Sequence, residues 1–309
     1  MARYIAGRIG YLIITLFIIA SFTFLLMQLL PGSPFNSEKL TADQIQILKH
    51  EYNLDDPIPI QFIHYIGGML HGDFGVSFTY DGRPVSDLIV HRIGPSATIG
   101  FEAVVFGTIV GLLLGIIAAL KRNTYIDYLA MFIAVLGISI PSFVFAGLLQ
   151  YYIGVKLEWL PIAFWGGFKF HIMPAFSLAV GVIASIARFM RTEMLDVLGQ
   201  DYIVTATAKG LSKASVIFKH SVRNAMIPIV TILGPMVVGI MTGSLVIEQI
   251  FAIPGIGDQF VNSITKRDYP MIMGTTLLFS ILFLVVILIV DILYGVIDPR
   301  IRLGGGRKS

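Results

Sequence analysis

DYIVTATAKGLSKASVIFKH, residues 201–220, is mixed and basic, yet it lies between two long apolar runs. Asp201 opens a helix whose period over 202–209 is carried by Ala206 and Ala208, with Thr205 as a further small residue. Gly210 then fits the left-handed position just past a helix end, where only glycine escapes a steric cost, and Leu211 supplies the apolar residue that accompanies such a stop. Ser212 is the N-cap of a second helix, with Val216, Ile217 and Val222 on one side of it. The stretch is therefore a compact helix–turn–helix. Its small residues let another protein approach closely, and Lys209, Lys213 and Lys219 place charge at the rim. Attached at both ends to apolar spans, such an element is a lever. The plainer reading is a solvated basic loop that obeys the positive-inside rule.

Working outward, the 309-residue chain is 56% hydrophobic and 13% charged, against roughly 25% charged in soluble domains. The excess falls in runs of the length that crosses a bilayer. Six spans follow, at about 9–30, 97–120, 129–153, 172–190, 226–248 and 271–297. The run after MARYIAGRIG lacks a small-residue cleavage site and is expected to be retained as the first span. Placing both termini in the cytoplasm puts 14 of the 22 Lys and Arg residues inside. The expected fold is an all-α polytopic membrane protein with six transmembrane helices and cytoplasmic N and C termini, sitting multi-pass in a lipid bilayer. Its divisions are the N-terminus and first helix (1–30), an extracytoplasmic helical loop (31–96), a five-helix core (97–298) containing the cytoplasmic loop 191–225, and a basic tail (299–309). A net charge of +3 gives no support to nucleic-acid binding, and the absence of cysteine excludes disulfides and thiol chemistry.

The loop 31–96 has its own signals. TADQ at 41–44 is a capping box between Thr41 and Gln44. Asp56 reads as an N-cap with Pro57 at the first helical position, followed by an apolar stripe of Ile60, Ile63, Ile66 or Gly67, and Leu70. HGDFGVSF at 71–78 reads as a turn, and a short helix around 84–93 is expected to stop at Gly94-Pro95. These pieces predict a small helical cap on the ends of the spans.

Several other positions are candidates. Gly107, Gly111 and Gly115 form a tandem small-residue strip for close helix packing, and Gly239 with Gly243 repeats the spacing. Pro141, followed by Ser142, should kink or break the third span, shaping a pathway or serving packing alone. Glu102 and Glu248 sit near span ends, where they can face a vestibule. After Glu248, FAIPGIGDQF (251–260), with Phe251, Pro254 and Gly255, reads as an outer gate or as a plain turn. Asp291 lies within the last span, suited to an interfacial role or to pairing at the inner mouth. No phosphate loop, catalytic constellation or metal-ligand spacing is present, so the chain is not expected to be an enzyme or to bind a cofactor. A secondary transporter would want midplane carboxylates and an internal repeat, and the sequence has neither.

The segment DYIVTATAKGLSKASVIFKHSVRNAMIP (201–228) resembles the "EAA" coupling loop of ATP-binding-cassette importer permeases, in its peptide/nickel branch. PGSPF (31–35), the LDDP…QF…HGDFGVSF loop, IPSFV (140–144), GSLVIEQIFAIPGIG (243–257), RDYP (267–270) and DILYGVIDPRIR (291–302) extend the likeness along the whole chain, toward the B-type permease subunits of oligopeptide importers. Val204, Thr205 and Ala206 replace the Glu-Ala-Ala triplet, and Pro228 lies further from Gly210 than the general pattern allows; both departures are typical of the peptide branch. The resemblance implies a type I importer permease that forms a pathway for oligopeptides and couples to ATPase subunits through Asp201, Thr205, Ala206, Ala208, Lys209, Gly210, Leu211, Ser212, Val216 and Phe218. It implies as partners a second, C-type permease subunit, two cytoplasmic ATPase subunits that hold ATP and Mg, and an extracytoplasmic peptide-binding protein. Dipeptides, nickel chelates and haem are alternative cargoes of the same scaffold.

Overall fold

A computed structural model describes residues 2–29, 35, 41–80, 82–241 and 244–297. Among them the only β pairing is one isolated bridge between Val76 and Pro84. The helices, in chain order, are α1 (Ala2–Gln28), α2 (Ala42–Glu51), α3 (Ile58–Leu70), α4 (Val85–Leu120), α5 (Tyr125–Ser139), α6 (Ser142–Leu149), α7 (Ile172–Leu198), α8 (Asp201–Ala208), α9 (Lys213–Ser215), α10 (Arg223–Met241), α11 (Leu245–Ile250), α12 (Ile256–Thr265) and α13 (Tyr269–Ile297). Turns of π-helix extend α6 over Gln150–Lys156 and join α9 to α10 over Val216–Val222. Among the described residues five helices are long and apolar enough to cross a membrane. The pair Tyr125–Ser139 and Ser142–Lys156, bent by 99°, makes a sixth crossing if it counts as one span. The bend falls at Pro141, whose missing N–H and fixed φ of −56° end one helix and start the next.

The boundaries differ from the sequence reading at four places. α4 runs straight through Gly94-Pro95, fusing the expected short helix with the second span. One proline removes one backbone bond, and the apolar run that follows favours an intact helix. α7 continues to Leu198, which puts Arg191 on the helix rather than in the loop. The fifth span ends at Met241, and Glu248 belongs to the separate α11; Gly243, half of the second glycine pair, lies outside the described residues. Finally, Pro57 rather than Asp56 is the N-cap of α3. The Asp56 carbonyl instead accepts from Gln61 Nε2 at 2.7 Å. The capping box of α2 forms as expected, with Thr41 Oγ1 accepting from the Gln44 amide.

Tertiary contacts group Met1–Gly94 with Pro254–Val285 as one unit, and Pro95–Ile253 with Val286–Ser309 as another. In the first unit, α3 packs Phe62 and Tyr65 against Phe24 and Met27 of α1 and against Tyr269, Ile272 and Met273 of α13. The stripe Ile60, Ile63 and Leu70 lies on the other side of α3, 42%, 66% and 77% exposed. α3 carries apolar residues on two faces, and the aromatic face buries more area. Aromatic contacts then run from Phe35 through Tyr52 and Phe78 to Tyr269. Beside them Asp268, fully buried, accepts from the Ser77 hydroxyl, from the Phe78 amide at 3.2 Å and from the Thr79 amide at 3.3 Å. The HGDFGVSF and RDYP motifs, about 190 residues apart, thus meet on one carboxylate.

The second unit is organised around α7. The strip Gly107, Gly111, Gly115 of α4 lies against it: a Cβ on these glycines would sit 2.7 Å from Val182 Cβ, 2.8 Å from Ile186 Cβ and 2.6 Å from the Ala187 carbonyl oxygen. On a further face Gly137 of α5 approaches Val180 and Ala184 equally tightly, a Cβ there falling 3.1 Å from either side chain. α10 adds Ala225 and Ile229 to a core with Val182, Ile186, Met190 and Met194. Without a hydrophobic drive between helices in lipid, such backbone-close packing is the main source of cohesion.

Candidate functional site

The arm between α7 and α10 is built from the chemistry of its turn. Gly210 has φ +78°, its amide donates to the Thr207 carbonyl at 3.0 Å, and the Leu211 amide reaches the Ala206 carbonyl at 3.4 Å. These two bonds form a Schellman closure of α8. Ser212 Oγ accepts from the Ser215 amide at 3.3 Å and starts the next helix. Past it the backbone widens, and the Ser221 hydroxyl donates to the Val216 carbonyl five residues back.

The arm has an inner and an outer face. Ile203, Ala206 and Val216 are buried together against Val197 at the end of α7. Ala206 and Val216, expected among the docking residues, therefore hold the two short helices to each other and to α7. Asp201, Thr205, Ala208, Lys209, Gly210 and Ser212 are exposed. So are four large apolar side chains: Tyr202 (42%), Val204 (63%), Leu211 (41%) and Phe218 (66%). Tyr202 and Val204 escaped the sequence reading, although the inward i, i+3 pair Ile203 and Ala206 turns both of them outward.

At the broken span, Pro141 and Ser142 line a cleft of about 460 Å³ with Gly137, Ser177, Gly181, Ser185 and Gly239 among its walls. None of its lining side chains is charged. Ile138, Ile140, Leu178, Val180, Val182, Met236 and Ile240 make the wall mainly apolar, with serines and glycines between them and no fixed charge.

The remaining candidates lie elsewhere. Glu248 is 3% exposed and accepts from Ser96 Oγ at 2.6 Å, so it does not face an open vestibule. Phe251 is 1% exposed in the core of the second unit, its carbonyl accepting from the Phe164 amide at 2.7 Å. Pro254 is exposed and Gly255 caps α12. Asp291 is on α13, and its side chain lies outside the described residues. Glu102 meets His171 Nδ1 at 3.0 Å, while Trp165 stacks on that imidazole at 4.4 Å. Among the described residues no group of three or more His, Cys, Asp or Glu side chains could hold a metal ion.

One pair had no local signal. Asp127, 1% exposed, takes Nε and Nη2 of Arg191 at 2.6 and 2.8 Å, and also the Asn123 amide at 3.0 Å. The bond joins the first turn of α5 to the last third of α7.

The chain matches two family models, "Binding-protein-dependent transport system inner membrane component" over residues 111–303 and the corresponding N-terminal component over residues 1–98. It is 46% identical over 303 residues to a dipeptide transport system permease protein of Lactococcus lactis subsp. cremoris (strain MG1363), covering 98% of this chain and all of that one. It is 47% identical over 304 residues to a Bacillus subtilis (strain 168) dipeptide permease, covering 98% of this chain and 99% of the other. An oligopeptide transport system permease protein of Salmonella typhimurium is 43% identical over 305 residues, at 98% and 100% coverage. Among solved structures, a crystal structure of an amino acid ABC transporter with histidines superposes with a TM-score of 0.50 at 17% identity, covering 67% of this chain and 93% of that one.

Proposed function

This chain belongs to the family of binding-protein-dependent transport system inner membrane components, and on that premise we propose that it is one membrane half of an ATP-driven peptide importer, moved by other subunits through its 199–222 arm. It is a multi-pass inner-membrane permease, and it works with a substrate-binding protein and with ATPase partners. The finer assignment is that two cytoplasmic ATPases, which carry ATP and Mg, grip the arm, while a second permease subunit completes the pathway and both termini of this chain face the cytoplasm.

The observation that carries the coupling reading is the two-faced arm. A loop that only obeyed the positive-inside rule would have no reason to hold Tyr202, Val204, Leu211 and Phe218 exposed on a frame fixed by Ile203, Ala206 and Val216. Exposed apolar residues on a rigid support are what a protein partner buries. Force applied there enters α7 through Val197 and α10 through the continuous backbone, and α7 and α10 both wall the cleft at Pro141. Transport then consists of switching this cleft between two accesses, with nucleotide-driven partners biasing the equilibrium.

The test is co-purification and transport. Leu211→Ser/Phe218→Ser should leave the chain in the membrane, lose the ATPase subunits from the purified complex and stop peptide uptake. A double variant that keeps normal ATPase subunits and uptake would refute the docking surface. As to cargo, relatives that carry dipeptides and relatives that carry oligopeptides match at similar identity, which supports peptides as the class and either length as the substrate.

A further inference from the structure

We propose that Asp127 and Arg191 are positioning residues that make α5 follow α7, so that a displacement at the 199–222 arm reaches the cleft where α5 ends at Pro141. The inference rests on the coupling reading of the arm given above. Three observations carry it. The first is the geometry of the bond: a bidentate guanidinium–carboxylate pair is directional in a way that a single point charge is not. Asp127 is almost wholly enclosed, and its third partner, the Asn123 amide, fixes the α4–α5 turn to the same carboxylate.

The second is its place along α7. Arg191 stands eight residues before Gly199, about 12 Å of helix, and Val197 in between is where the arm's buried face lands. Motion of the arm therefore arrives at Arg191 along a helix that is packed to backbone contact. A Cβ at Gly115 would meet the Ala187 oxygen at 2.6 Å and the Arg191 amide nitrogen at 3.1 Å. α7 has no slack against α4 there.

The third is what lies at the other end of α5. Fourteen residues after Asp127, Pro141 breaks the span, and Gly137, Ile138, Ile140, Pro141 and Ser142 all face the cleft. α5 touches α7 at both ends, through the ion pair and through Gly137 against Val180 and Ala184. Between them Ala134 packs with Ala184 and Ala187, and this close packing holds the helices together without direction along their axes. The ion pair is directional and also resists sliding and rotation, so it ties the start of α5 to the motion of α7.

The experiment uses the whole importer in lipid vesicles and reads peptide imported per ATP hydrolysed. Asp127→Asn and Arg191→Gln should keep ATPase subunits bound and hydrolysis running, while uptake per ATP falls by roughly tenfold, the scale of a typical coupling free energy. Arg191→Lys, which keeps charge but loses the two-pronged hold, should fall in between. The chain has no cysteine, so Asp127→Cys/Arg191→Cys offers a unique thiol pair. Uncross-linked it should be uncoupled, and bridged by a bifunctional thiol reagent it should regain yield, because a covalent strut replaces the ionic one. That rescue separates positioning from a merely structural role. Normal yield per ATP in Asp127→Asn, or a bridged pair that binds ATPases yet remains as poorly coupled as the open one, would overturn the proposal and leave the transport reading standing. Lack of nucleotide-driven uptake by the unaltered complex would overturn both.

Discussion

Gly210 and Gly111 would each resist a side chain, for opposite reasons. At Gly210 the space is open, with nothing within 4 Å of a Cβ, but φ is +78°. At Gly111 the backbone is ordinary helix, but a Cβ would lie 2.8 Å from Ile186 Cβ and 3.0 Å from the Ile183 oxygen. Gly210→Ala should therefore cost only the left-handed strain, about 1 kcal/mol, and weaken uptake mildly. Gly210→Trp should abolish uptake by obstructing the docking face while leaving membrane insertion and thermal stability near normal. Gly111→Leu should do the reverse, forcing α4 off α7 at a cost of about 1–3 kcal/mol or more, read as a lower melting temperature and reduced folded yield in detergent. If the tryptophan variant fails to insert while the leucine variant melts normally, the division of roles between the two glycines is wrong.

At the scale of elements, a single carboxylate secures the 71–80 segment to the start of α13. Asp268→Ala would leave the Ser77 hydroxyl and the Phe78 and Thr79 amides without that acceptor, at about 1–3 kcal/mol for each group left buried and unsatisfied. The expected outcome is faster proteolysis between residues 71 and 83 with the spans intact; unchanged cleavage kinetics would show that the aromatic contacts of Phe78 suffice alone. This latch also shows what the sequence could convey. The Thr41 capping box, the break at Pro141, the left-handed Gly210 and the glycine strip on α4 were legible because each signal lies within a few residues of its effect. Which face of α3 is buried was not legible, because it carries two apolar stripes and only the partners on α1 and α13 decide between them. The continuation of α4 through Pro95 was missed because a local breaker was outweighed by the apolar run after it. Asp268 with Ser77, and Asp127 with Arg191, left no trace in local spacing: a carboxylate reveals nothing about a donor 64 or 191 residues away until the helices place them together.

At the scale of the whole molecule, the cleft makes a demand that can be measured. If peptides pass beside Ser142, Ser177 and Ser185, a wall without charge should treat cationic, neutral and anionic peptides of equal length nearly alike once binding-protein affinity is factored out. A fixed carboxylate would not. At 4 Å and an effective dielectric of about 20, one unit charge acts on another with about 4 kcal/mol, close to a thousandfold in rate if all of it fell on the barrier. Ser142 is exposed at the edge of the cleft, where water would screen much of that. Even a third of it is about tenfold. Ser142→Asp should therefore convert an indifferent importer into one that favours Lys-containing over Glu-containing tripeptides by about that factor, with ATP hydrolysis unaltered and the preference shrinking as salt is raised. The comparison is internal to one complex, so changes in expression or in partner affinity cancel from the ratio. A ratio that stays at the unaltered value while transport continues would mean that the peptide does not pass beside Pro141 and Ser142. The broken span would then serve only the bending of α5 relative to α6.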